Sequence, residues 1–126
     1  MDLRITRELV ETLITLHDES TRYVYPNGQS GTYDFSSEEG LEIVKRGKSD
    51  PHRPKFEQIV DSLDLEMKRE LIALMWLGKD DEHGVEQFPL LLEHAVVAQD
   101  AAAQYLSSKS ELSRSLREGM VKLDMI

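Results

Sequence analysis

Residues 71–77, Leu-Ile-Ala-Leu-Met-Trp-Leu, form an unbroken apolar run that constrains the fold more than any other stretch. The run fills the second half of a segment that opens on Asp64, keeps its charges in the first turns and meets Gly78. A helix lying on a protein surface retains a polar face along its whole length. One that is apolar on every side for two turns must be enclosed by other elements. The expectation is a central helix over residues 64–77, capped by Asp64, stopped by Gly78 and surrounded by further helices that enclose Trp76. The run is far shorter than the roughly 18 residues a membrane span needs. The start Met1-Asp2-Leu3-Arg4 leads into a polar helix without the apolar stretch of a signal peptide.

Helical periodicity recurs on both sides. Thr6 can cap a helix running to about Glu19, with Leu9, Val10, Leu13, Ile14, Leu16 and His17 on one face. Ser36-Ser37-Glu38-Glu39 reads as a capping box that opens a short helix ending near Gly47. The stretch from Gly47 to Arg53 has turn residues, charge and no periodicity, so a mobile connection is expected there. Pro54 suits the first turn of a helix that buries Phe56, Ile59, Val60 and Leu63. Beyond the polar loop at residues 79–84, one long helix is expected over residues 86–107, with Pro89 in its first turn. A last helix, capped by Ser108 or Ser110, is expected over residues 110–123.

Residues 20–35 break the pattern. Pro26, Asn27, Gly28 and Gly31 are turn formers, and Tyr23, Val24 and Tyr25 favour extended backbone, so a small hairpin or an irregular loop is expected. Four of the eight aromatic residues, Tyr23, Tyr25, Tyr33 and Phe35, fall in this window. Tyrosine offers contact area and a polar tip at low entropic cost, which makes these four the candidate partner-binding residues. The alternative is that the rings cover one edge of the helical core.

The chemistry of the chain is sparse. It has no cysteine, which excludes disulfides, thiolate catalysis and cysteine-bound metal centres and fits a reducing cytoplasm. There is no Gly-x-Ser-x-Gly elbow and no glycine-rich phosphate loop. A net charge of −9 disfavours generic binding to nucleic acid and to anionic membranes. Asp80, Asp81, Glu82 and His83, with His94 further on, are candidate ligands for a metal-assisted enzyme. Their consecutive spacing fits neither an EF-hand nor a di-iron bundle, and acids helping a helix start explain them as well. Glu66-Met67-Lys68 resembles a nuclease triplet but falls in a helix, where Glu66 and Arg69 suit a surface ion pair. Lys45, Arg46, Lys48, Arg53 and Lys55 form a basic run that a nucleic-acid regulator could use, though a solvated linker accounts for it too. His17, on an otherwise apolar face, is expected to pack and not to react.

The residues Leu71-Ile72-Ala73-Leu74-Met75-Trp76-Leu77-Gly78-Lys79, an acidic loop, an alanine-rich helix and Leu116-Arg117-Glu118-Gly119-Met120 together resemble a small bacterial family, domain of unknown function 3775. The resemblance covers about residues 56–123, and Met75-Trp76-Leu77-Gly78 is its most distinctive piece. The chain departs from that pattern at Asp80, where glycine is expected, and at Pro89. The resemblance implies a bacterial, soluble, helical protein and carries no catalytic residue with it.

The expected molecule is an all-α single domain of about five helices, with amino-terminal helices and loop (1–50) packed on a helical core (54–126). The expected role is a non-enzymatic protein-interaction or regulatory module of the cytoplasm that binds a protein partner or a second copy of itself. Exposed apolar positions such as Leu90 and Val97 are expected to contribute, and no cofactor or metal is expected.

Overall fold

Three side chains start three helices. In the computed structural model, which describes residues 3–26 and 37–126, Thr6 Oγ1 accepts from the Leu9 amide at 3.1 Å and opens α1 (Arg7–Val24). Ser37 Oγ accepts from Gly40 at 3.0 Å and opens α2 (Glu38–Ser49), and Asp64 Oδ1 accepts from Met67 at 2.9 Å and opens α4 (Leu65–Lys79). Each bond satisfies an amide that the first turn of a helix leaves without an internal partner. The remaining α-helices are α3 (His52–Asp61), α5 (Phe88–His94), α6 (Ala102–Ser107) and α7 (Leu112–Lys122). The fold is all-α, and no strand occurs among the described residues. None of their helices is long and apolar enough to cross a membrane.

The central helix is α4, and two separate cores explain why it is apolar all round. Leu71, Ile72, Leu74 and Met75 pack with Val10, Leu13 and Ile14 of α1, Phe56 and Val60 of α3, and Leu112, Leu116 and Met120 of α7. Ala73 and Leu77, on another side, pack with Phe88 and Leu91 of α5. Burying one large apolar side chain contributes about 1.5–3 kcal/mol, several times any helix-propensity difference, so packing decides where α4 lies. Trp76 departs from the expectation of full enclosure. It is half-buried, its Nε1–H donates to the Tyr105 hydroxyl at 3.0 Å, and the two rings meet edge to face.

α4 and α7 approach closely at a point where side chains all but vanish. A methyl group built on Gly78 would overlap the Ser115 carbonyl oxygen and come 2.5 Å from the Gly119 nitrogen. One built on Gly119 would overlap the Leu74 carbonyl oxygen and come 2.9 Å from Leu74 Cδ1. The two glycines, one per helix, let backbone touch backbone. Gly78 is therefore not a helix stop: α4 continues through it to Lys79. The end comes instead from α7, whose Lys122 Nζ donates to the Leu77 and Asp80 carbonyls at 2.7 and 2.8 Å. Cations suit helix carboxy-termini, which carry unpaired carbonyls and partial negative charge.

Other expectations change for comparable reasons. α1 runs five residues past Glu19, so Ser20, Thr21, Arg22, Tyr23 and Val24 are helical and not part of a hairpin or loop. The Thr21 hydroxyl donates to the His17 carbonyl, and Arg46 Nε donates to the Val24 carbonyl at 3.0 Å, closing the helix from α2. α2 passes through Gly47 to Ser49, which shrinks the expected mobile stretch to a link at Asp50 and Pro51, with Asp50 buried. The expected long helix over residues 86–107 is broken. A 3-10 turn, Val85–Gln87, precedes α5, and a 3-10 segment, Ala95–Ala101, separates α5 from α6. Neither Ser108 nor Ser110 caps α7, which starts after Glu111 without a side-chain cap. Glu66 pairs with Arg4 at 3.4 Å instead of Arg69.

Candidate functional site

The carboxy-terminal half of α1, α2, the start of α3 and the α6–α7 connection enclose a cleft of about 320 Å3. Val24, Ile43 and Val44 supply apolar wall; His17, Ser20, Thr21, Asp50 and Ser108 supply polar wall; Tyr25, Gly47, Arg53, Ser107, Lys109 and Ser110 complete the lining.

His17 is fixed in one tautomer by geometry. Its Nε2 lies 2.9 Å from the Lys109 carbonyl oxygen, which can only accept, so Nε2 carries the proton. Nδ1, 3.1 Å from Ser113 Oγ, then accepts from that hydroxyl. Burial pushes the imidazole below its ordinary pKa, against the weaker opposite pull of the Lys109 bond and of Asp18. The ring is neutral near neutral pH with both nitrogens engaged, and it clips α1 to α7. Asp50, 5% exposed, accepts the Ser20 hydroxyl on Oδ2 and the His52 amide on Oδ1 at 2.8 Å.

The aromatic candidates divide. Tyr23 is exposed at the end of α1, its hydroxyl 2.9 Å from Ser49 Oγ and its ring edge-on to the His52 imidazole. Tyr25, half-buried, lines the cleft just beyond the helix end. Two positions therefore come together at one end of the molecule; Tyr33 and Phe35 lie outside the described residues.

The acidic loop is arranged differently. Asp80, Asp81, Glu82 and His83 line an open depression beside Trp76 and Leu91. Two of them turn polar atoms to local backbone: Asp80 Oδ1 accepts the Glu82 amide at 2.9 Å, and His83 Nδ1 lies 3.2 Å from the Trp76 carbonyl. His94 is exposed on α5. Among the described residues no three His, Asp or Glu side chains come close enough to hold a metal ion.

The basic run is divided between the end of α2 and the first turn of α3. Lys45 reaches Glu42 at 3.7 Å, Arg46 caps α1 and Arg53 pairs with Glu57 at 3.1 Å.

Periodicity gave no sign of the cleft's polar wall. In the sequence Asp50 reads only as an acid in a basic stretch, Ser107 only as the end of a helix, and Ser108 and Ser110 only as caps. Their meeting depends on α1 running on to Val24.

A protein-family model described as a protein of unknown function (DUF3775) matches residues 53–125, more than half of the chain. No curated protein and no solved structure matches it. The matched residues include both sides of the α4–α7 crossing; Tyr23 and Tyr25 precede them.

Proposed function

This chain belongs to that family of unknown function, DUF3775, and we propose that it is a non-enzymatic cytoplasmic module that binds a protein partner at the α1–α2 end, through Tyr23 and Tyr25. The observation that carries this reading is the presentation of Tyr23. Its ring is exposed yet held by Ser49 and by the His52 edge, so little conformational freedom is lost when a partner covers it. The disposition of the histidines points the same way: His17 and His83 turn their ring nitrogens to backbone or neighbouring side chains. Apolar side chains at Leu90, Val96 and Val97 are exposed on the α5 side and offer further contact area, Val97 most of all at 87%.

The test is site-specific photocrosslinking in the cells that express the protein. A benzophenone amino acid replacing Tyr23 should give one discrete adduct, to a partner or to a second copy. The same group replacing exposed Thr12, elsewhere on α1, should not. Absence of an adduct at position 23, or an equal yield from both positions, would reject the assignment.

A further inference from the structure

Asp50 is a buried carboxylate without a counter-ion. Among the described residues no lysine, arginine or histidine nitrogen pairs with it, and the nearby cations are committed elsewhere. His52 Nδ1 faces Glu19 at 3.2 Å, Arg53 Nε faces Glu57 at 3.1 Å, and Lys109 Nζ stands 4.4 Å over the Tyr105 ring. Buried charges are normally paired, because desolvation is expensive without an opposite charge close by. The amino-terminus of α3, to which Asp50 is hydrogen-bonded through the His52 amide, supplies only about half a unit of positive charge. Among the described residues no side-chain cation completes that balance.

Four hydroxyls of the same cleft have a common orientation. Ser20 gives its proton to Asp50, Thr21 to the His17 carbonyl at 3.0 Å, Ser107 to the Gln104 carbonyl at 3.3 Å and Ser108 to the Tyr105 carbonyl at 2.8 Å. With their protons spent on the protein, these groups present lone pairs. A group that donates three hydrogen bonds, accepts none and carries positive charge complements such a lining, and that describes an ammonium. Val24, Ile43 and Val44 offer an apolar surface for the carbon chain of such a molecule, and the volume lies at the small end of the range for ligand pockets. The two cations on the lining, Arg53 and Lys109, are turned to Glu57 and to the Tyr105 ring, so a carboxylate or phosphate would meet the Asp50 charge before either of them.

We propose that this cleft binds a small molecule bearing a protonated primary amine, with Asp50 as the counter-ion. Tyr25 belongs to both sites, but amine binding is read on the isolated chain and partner contact at position 23, so the two assignments stand or fall separately.

The experiment is an amide NMR titration of the full chain with n-butylamine, alongside n-butanol and butyrate as matched neutral and anionic probes. The amine should shift the amides of Ser20, Gly47 and Ser108 saturably at millimolar concentration, and the other two probes should not. Asp50→Asn retains an oxygen for the His52 amide and should weaken amine binding about tenfold or more, roughly 1.4 kcal/mol or above. Gly47→Leu provides a second variant should Asp50→Asn fail to fold. A Cβ built there meets nothing within 4 Å, so a leucine on the cleft lining should leave the fold intact and obstruct the amine. Equal shifts from n-butanol or butyrate, no saturable response to the amine, or undiminished binding by both variants would overturn the proposal.

Discussion

Glu70 brings a carboxylate into the interior, 3% exposed, to hold the backbone that leads into α1. Its Oε1 accepts from both the Arg4 amide at 2.9 Å and the Ile5 amide at 3.0 Å. Burial raises its pKa above the ordinary carboxyl value, outweighing those two amides, which pull it down. A raised value in the folded state makes the group's contribution to stability full below its ordinary pKa and lost as pH rises through the raised one. Glu70→Gln keeps an oxygen at the position that takes both bonds and removes the charge. Urea unfolding at pH 7 should find it at least as stable as the parent, with a flatter dependence on pH in the mildly acidic range. Glu70→Ala leaves two buried amides unpaired and should cost about 1–3 kcal/mol. The sequence does not reveal this role, because the partners are amides 65 and 66 positions away and an amide has no residue-type signature. His17 was easier: a histidine inside an apolar stripe announces burial, though not the Lys109 carbonyl that fixes its tautomer.

At the scale of the helix, starts were legible and ends were not. Thr6, Ser37 and Asp64 act through amides three residues away, which is local information. The ends of α1 and α4 are set by Arg46 and Lys122, side chains from other helices 22 and 42–45 positions distant. Removing such a long-range cap has a definite cost. Lys122→Met preserves the aliphatic stem but loses two charge-assisted bonds, so unfolding free energy should fall by about 1–3 kcal/mol. Hydrogen exchange should show the added opening confined to the last turn of α4 and the loop after it. The Ala95–Ala101 segment also escaped periodicity, because alanine and valine at these positions fit either helix type equally well. At seven residues it is longer than the three or four usual for a 3-10 helix, and Ala95 is wholly buried.

Across the whole molecule, the residues that make the chain recognisable serve its architecture. Met75-Trp76-Leu77-Gly78 on α4 and Leu116-Arg117-Glu118-Gly119-Met120 on α7 face each other at the glycine crossing, inside the matched residues 53–125. Tyr23, Tyr25 and most of the cleft lie in the preceding helices, outside the match. An apolar run with glycine at its end shows that a helix is buried. That the glycine is a contact and not a terminus depends on α7, some forty residues later. Helix propensity and packing therefore predict opposite outcomes at this site. Replacing a helical glycine by alanine ordinarily adds about 0.5–1 kcal/mol of stability. A methyl group against the Ser115 carbonyl oxygen should force the two backbones apart, at a cost of about 3 kcal/mol or more. Urea unfolding of Gly78→Ala, followed by Trp76 emission, measures the balance directly. The crossing described above predicts a loss of about 2 kcal/mol or more; stability unchanged, or raised by the propensity gain, would contradict it.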